Sequence, residues 1–187
     1  MSFSIVPIIN SIPKIEAYSY LELGVWNGRN HSKILCRDKT SVDVGWNPTF
    51  KMTTDEFFSQ NKEKWDIVFV DADHNLEGGL KDYNNSTKIC SKFIIMHDLY
   101  PDNPQQATET GNYAGNVWRL LYHIITKKIH IEHYVLNGDV GMTVFFPPFK
   151  TFELKDIDKT VSYSQLDELA ICRYSIAGMQ DILRKRL

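Results

Sequence analysis

Two unbroken apolar runs, Ile67-Val68-Phe69-Val70 and Phe93-Ile94-Ile95-Met96, each stop at a cluster of ionisable residues. Runs of that length between polar flanks read as strands buried on both faces. The interval between them holds one helix, over about 76–90. The stretch from Trp65 to Asp98 therefore predicts a βαβ unit with parallel strands and both C-terminal ends on one edge. Asp71, Asp73 and His74 then share a rim with His97 and Asp98. Ligands of open α/β sheets bind on that rim. Five ionisable groups converging there are the strongest functional signal in the chain.

Upstream, Ala17 to Val25 reads as a first strand running into Trp26-Asn-Gly-Arg-Asn-His-Ser32 and a short helix to about Cys36. Gly24 and Gly28 lie in the turn, where they allow a sharp bend and close approach of a ligand to backbone amides. The pattern E-x-G-x-x-x-G is not the G-x-G-x-x-G of dinucleotide folds, and alone it is a weak signal. Asp43, on a short strand over 40–44, follows the first glycine by about twenty residues, the spacing of a ribose-binding acid. In isolation it would read as a solvated loop aspartate; the glycine turn upstream favours the ribose role. Thr54 or Asp55 suits the N-cap of a helix to about Lys62, with Phe57 and Phe58 facing the core. Gly78, Gly79, Asn84 and Asn85 weaken the helix before the second apolar run, so it must owe its stability to packing.

Residues 99–116 are rich in Pro, Asn, Gln, Thr and Gly and leave the sheet at the acidic cluster, which suits an acceptor-binding loop or lid. An amphipathic helix follows over 117–125. Two strands around Asn137-Gly138-Asp139 then form a hairpin that reverses the sheet's direction. The N-terminal segment 5–14, carrying Pro7 and Pro13, predicts a short helix or coil covering the sheet edge. The tail over 160–187 predicts a helix with a basic end.

The 187 residues predict a single domain, with a core over about 15–147 and a helical tail. The net charge of −2 leaves nothing to compensate a polyanion, which argues against nucleic acid. No apolar run reaches the length of a membrane span, so no membrane insertion is expected. The N-terminus lacks the basic region and cleavage site of a signal peptide. Cys36, Cys90 and Cys172 are widely spaced and odd in number, which predicts reduced thiols and a cytoplasmic location.

The segments LELGVWNG, SVDVGWNP, MTTDEFF, WDIVFVDADH, FIIMHDLYP, GNVWRLL and LNGDVGMTVFF, in this order, resemble a class I S-adenosylmethionine-dependent methyltransferase over roughly residues 15–147. More narrowly, they resemble small phage, viral and bacterial methyltransferases linked to glycan biosynthesis. The resemblance implies a Rossmann-like α/β fold with helices on both faces of a seven-stranded, mostly parallel sheet. Its strand order would be 3-2-1-4-5-7-6, with the last strand antiparallel. It also implies that Glu22, Gly24 and Gly28 shape the cofactor's methionine pocket, that Asp43 holds its ribose, and that Met52, Thr54 and Asp55 border its adenine. Asp71, His74, His97 and Asp98 resemble the metal site of sugar O-methyltransferases, with Asp71, Asp98 and His97 as ligands and Asp71 also beside the cofactor. His97 departs from that pattern, standing where an acid is usual. It makes Mn²⁺ a better match than Mg²⁺, which prefers oxygen alone.

The chemistry asks for these residue types. A sugar hydroxyl attacks a methyl group only as its proton is drawn off, and His74 is suited to take it near neutral pH. Asp73 either orients His74 or is itself the base. His74 beside a helix N-cap and His97 as a packing residue are the structural alternatives. His31, His123, His130 and His133 are expected to be structural, and so are Trp26 and Trp65; Trp46 and Trp118 are candidates for stacking on a sugar. The expected partner is a sugar or glycan acceptor, with part of the acceptor wall supplied by a homodimer partner or a neighbouring domain. Other readings are a small-molecule O- or N-methyltransferase with a non-sugar acceptor, and an inactive cofactor-binding or scaffold protein.

Overall fold

The computed structural model describes residues 5–187 except 46, 111, 139 and 170. In chain order the elements are α1 (Val6–Ile9), β1 (Ser19–Leu23), β2 (Asp38–Asp43), β3 (Phe50–Lys51), α2 (Thr54–Gln60), β4 (Trp65–Val70), α3 (Leu76–Ile89) and β5 (Cys90–Met96). They continue as α4 (Arg119–Thr126), β6 (His133–Leu136), β7 (Thr143–Phe145), α5 (Tyr163–Asp167), β8 (Arg173–Tyr174) and α6 (Ile176–Arg186). The strands make one sheet of order β3-β2-β1-β4-β5-β7-β6-β8. β3, β2, β1, β4 and β5 pair in parallel, and β7 runs antiparallel to both β5 and β6. This is the expected Rossmann-like order with one strand added. β8 lies in the tail that was expected to be helical and pairs in parallel with β6. A strand of two residues is too short for alternation to reveal it.

The sheet is covered on both faces, and the apolar runs of β4 and β5 are buried throughout as their composition demands. One face packs α3 and α4 over Leu21, Val68, Ile94 and Phe145. The other carries Ile5, Ile8, Ile9, Ile12 and Ile15 with Met179 and Leu183 of α6, over Ile67, Phe69 and Phe93. The N-terminal segment thus covers a face and not the sheet edge. Burying each of these side chains contributes about 1.5–3 kcal/mol. The helix expected before Cys36 is reduced to a single 3-10 turn, His31–Lys33. Lys39 of β2 satisfies that turn's open end by donating to the carbonyls of His31, Ser32 and Ile34 at 3.0, 3.3 and 2.9 Å.

The residues that weaken α3 have structural reasons. A Cβ on Gly78 would lie 1.9 Å from Asp73 Oδ2, and one on Gly79 would lie 2.4 Å from Val117 Cγ2. Asn75 caps the helix by accepting from the Gly78 amide at 2.9 Å. α2 is capped by Thr53, in a reciprocal pair with Glu56, one residue before the expected cap. Asn84 pins the segment after the hairpin: its Nδ2 donates to the Phe152 carbonyl at 2.8 Å, and its Oδ1 accepts from the Phe152 amide at 3.0 Å. Asn84→Ala, which strands both backbone groups, should cost about 1–3 kcal/mol in urea unfolding. A change under about 0.5 kcal/mol would show that the segment is held by apolar packing alone.

Candidate active site

The C-terminal ends of β1, β4 and β5 are locked together by hydrogen bonds that continue past the strands. Gly24 N–H donates to Val42, Asp71 N–H to Leu23 and His97 N–H to Val70, at 2.9, 2.8 and 3.0 Å. Gly24, at φ +82°, passes so close to β4 that a Cβ there would sit 2.1 Å from the Asp71 carbonyl oxygen. Asp98 is a buried aspartate at φ +65°, a sparsely populated backbone state of the kind that clusters at functional sites.

Four side chains converge on this rim. His97 Nδ1 stands 3.1 Å from Asp71 Oδ1 and 3.2 Å from Asp98 Oδ1. His74 Nε2 stands 3.5 Å from Asp71 Oδ1 and 3.2 Å from Asp98 Oδ2. The other ring nitrogen of His74, Nδ1, faces the carbonyl of Tyr113. A carbonyl accepts only, so Nδ1 carries a proton and Nε2 is left to the carboxylates. The Asp71 hydrogen bond, against the effect of burial and with help from Asp98, raises the His74 pKa to about 9. Burial pushes the Asp71 carboxyl up, but His97 and His74 outweigh it and hold the pKa at about 2. Without an ion, the cluster is two carboxylates sharing an imidazolium.

The donor chemistry fits a divalent cation. Asp71, His74 and Asp98 bring ligand atoms within 4.8 Å of one another, and His97 contacts the same two carboxylates. A ligating histidine commonly donates its second ring nitrogen to a carbonyl, as His74 does to Tyr113. Two oxygen donors with imidazole suit Mn²⁺ better than Mg²⁺.

Asp73 is turned away from His74. Its Oδ1 accepts from the Asn75 amide at 3.0 Å and from the Asn75 side chain, so it supports the start of α3. The orienting contact on His74 is the Tyr113 carbonyl, which no side-chain pattern could reveal. The loop that carries it is fastened to the site: Asn116 and Val117 amides donate to the His74 carbonyl at 3.1 and 3.2 Å. Asn116 Oδ1 accepts from the Leu76 amide at 2.6 Å. Behind it, buried Arg119 pairs with Glu109 of the loop and donates to the Val161 carbonyl of the tail at 3.0 Å.

Glu22 is buried and accepts from the Tyr20 hydroxyl at 2.8 Å. Gly28, at φ +72°, has open space where a Cβ would be. Asp43 folds onto the glycine turn, accepting from the amides of Val25 and Trp26 at 2.6 and 2.9 Å, while its other oxygen accepts from Gly45 at 2.6 Å. The carboxylate therefore shapes the turn through backbone hydrogen bonds. Met52 is tied by its amide to the Asp43 carbonyl at 3.1 Å. Thr54 opens α2, and Asp55 pairs with Lys81. Trp118 is 1% exposed, with its ring against Tyr163 and Arg119, so it cannot stack on a sugar. Trp65 is packed, whereas Trp26, expected to pack, is 80% exposed beside the glycine turn. Trp46 lies outside the described residues.

No protein-family model matches this sequence, and no curated protein matches it. Solved structures do. The O-methyltransferase from Bacillus cereus in complex with SAH is 13% identical, with 76% of this chain and 79% of that one covered at a TM-score of 0.52. The O-methyltransferase TomG from Streptomyces achromogenes, in complex with SAM, is 13% identical over 75% and 78% at 0.50. SAH-bound Podospora anserina methyltransferase PaMTH1 is 15% identical over 68% and 70% at 0.50. At such identities the likeness establishes a shared fold.

Burial raises the Glu22 pKa to about 8, against the opposing hydrogen bond from Tyr20. The folded chain therefore holds a proton that the unfolded chain releases near its ordinary value of 4.5. Stability from this group is full below that value, declines as pH rises through the window from 4.5 to about 8, and is then lost. Glu22→Gln keeps the acceptor for Tyr20 without the ionisation. In chelator-treated protein the variant should match the parent near pH 5 and exceed it in melting temperature at pH 8. Parallel melting curves across that range would contradict the raised pKa.

Proposed function

We propose that this protein is a class I S-adenosylmethionine-dependent O-methyltransferase whose acceptor is a hydroxyl, by preference that of a sugar in a glycan. The observation that carries the reading is the rim itself. Asp71, His74, His97 and Asp98 converge beside a positive-φ glycine turn, at the sheet edge where α/β folds bind ligands. The fold shared with SAM- and SAH-bound methyltransferases supports it, and the sequence resemblance favours the sugar.

Gly24, Gly28 and Glu22 are assigned to the cofactor's methionine end, Asp43 to the ribose and Met52, Thr54 and Asp55 to the adenine. S-adenosylmethionine, when bound, supplies a methyl group activated by its sulfonium. A divalent cation held by Asp71, Asp98 and His97 would supply positive charge that lowers the pKa of the acceptor hydroxyl. The chain's own residues position the acceptor and take its proton. His74 is the proposed acceptor of that proton, a role open to it only once the proton shared with Asp71 and Asp98 has left the ring. Asp73 remains the alternative base. Tyr113 and Trp26 are exposed, leaving room for a wall contributed by a second subunit or a neighbouring domain.

Chelation should abolish methyl transfer to a sugar acceptor, and Mn²⁺ should restore it better than Mg²⁺. Full turnover in excess chelator, from protein free of metal by elemental analysis, would remove the ion from the reading. His74→Ala should lower turnover by about 10²–10⁴-fold while S-adenosylhomocysteine affinity holds. If the variant instead loses Mn²⁺ affinity in proportion to activity, His74 is a ligand and not the base. Normal turnover in His74→Ala beside an inactive Asp73→Asn would pass the base role to Asp73.

A further inference from the structure

Arg119 stands where a cation is least expected. It opens α4 and is 6% exposed, so its charge is buried at the end of a helix that already carries positive partial charge. An apolar side chain of similar volume would serve the fold as well or better, because the desolvation of a buried ion pair often exceeds its attraction. Its partner is Glu109, an exposed residue of the loop after β5. The guanidinium meets that carboxylate with two donors, Nη1 and Nη2, at 2.7 and 2.6 Å. Those bonds hold the Glu109 pKa below its ordinary value of 4.5. On its other side Arg119 donates from Nε and Nη2 to the Val161 carbonyl at 3.2 and 3.0 Å. Its Cζ lies 5.1 Å from the centre of the Trp118 ring.

From Glu109 the hydrogen bonds run on to His74. The carboxylate accepts from Asn116 Nδ2 at 3.0 Å. Asn116 in turn accepts from the Leu76 amide at 2.6 Å and donates its own amide to the His74 carbonyl at 3.1 Å. The same loop, closed on itself by a bridge between Ala107 and Tyr113, brings the Tyr113 carbonyl to His74 Nδ1. His74 is therefore gripped at its ring and at its backbone by one loop, and Arg119 is a charged anchor of that loop. The tail holds the root of the loop as well, where the Tyr163 hydroxyl donates to the Pro101 carbonyl at 2.8 Å. A two-pronged guanidinium contact fixes orientation as well as distance. That explains an arginine at a position where bulk alone would suffice.

We infer that Arg119 is a positioning residue: held by the Val161 carbonyl of the tail, it fixes Glu109 and, through it, the loop that orients the His74 ring. The inference rests on the reading of His74 as the residue that takes the acceptor's proton. It extends the active site to the segment after the hairpin, which acts at one remove.

The test reads His74 directly. In the chelator-treated parent, the Nδ1 proton held by Tyr113 should give a downfield imidazole resonance, identified by its loss in His74→Ala. Glu109→Ala removes the anchor at an exposed position, so the variant should fold. It should broaden or lose that resonance and lower kcat for methyl transfer by about tenfold to a hundredfold, the scale for losing a group that orients an active-site residue. S-adenosylhomocysteine affinity should hold. Arg119→Lys, which keeps the charge and loses the two-pronged contact, should fall in the same range. Glu109→Asp, which keeps the acid, should restore most of both readouts. Adding Asn116→Ala to Glu109→Ala should cost little more, since both cut one path. A purely structural pair would lower the melting temperature alone. Parental resonance and parental kcat in folded Glu109→Ala, measured well below the melt, overturn the inference and leave the proposed function standing. Loss of the resonance in Glu109→Ala, from a parent that transfers no methyl group, supports the positioning role and overturns the function instead.

Discussion

Backbone hydrogen bonding between parallel strands does not stop where the strands stop, and the site depends on that continuation. Because Asp71 N–H reaches β1 and His97 N–H reaches β4, the residues after three adjacent strands are held in register by the sheet itself. The side chains that meet there come from positions 26 residues apart in sequence, Asp71 and His97, yet they are fixed as if on one rigid element. Gly24 is the condition for this: any larger residue at that bend would force β1 and β4 apart.

Charge balance explains the shape of the rest of the rim. Two carboxylates brought this close repel unless something positive lies between them. Here the imidazole of His74 does so, and a cation would do so more strongly. The cost of Asp98 in a left-handed backbone state is offset by the contacts its carboxylate makes with both histidines. The loop after β5 reinforces the arrangement from outside, through a carbonyl on His74 and the Arg119–Glu109 pair behind it.

Much of this was legible in the residues. The apolar runs of β4 and β5 required double burial, double burial required a parallel βαβ unit, and that unit required Asp71, His74, His97 and Asp98 to share an edge. The reversed hairpin followed from its turn residues. What escaped had physical reasons. The Tyr113 contact is made by a backbone carbonyl, which every residue possesses. The role of Asp43 as an acceptor for the glycine-turn amides is invisible in a spacing that equally fits a ribose. Trp118 is buried where stacking on a sugar was a candidate role, and Trp26 is exposed where packing was expected, because an indole's burial depends on what faces it. The helix after the glycine turn is a single turn whose carbonyls accept from Lys39 of the next strand, a contact that no local pattern reveals.

The sheet face covered by α1 and α6 has a consequence for how the chain is made. The two segments touch directly, Gln180 donating to the Pro7 carbonyl at 2.9 Å across 173 positions. Contacts of such separation carry a large loop-closure entropy and form late. During synthesis, Ile67, Phe69 and Phe93 lack the cover of Met179 and Leu183 until residues 176–186 have emerged. For that interval the nascent sheet is sealed on one side and partly bare on the other, and a hydrophobic surface of this kind is what chaperones hold.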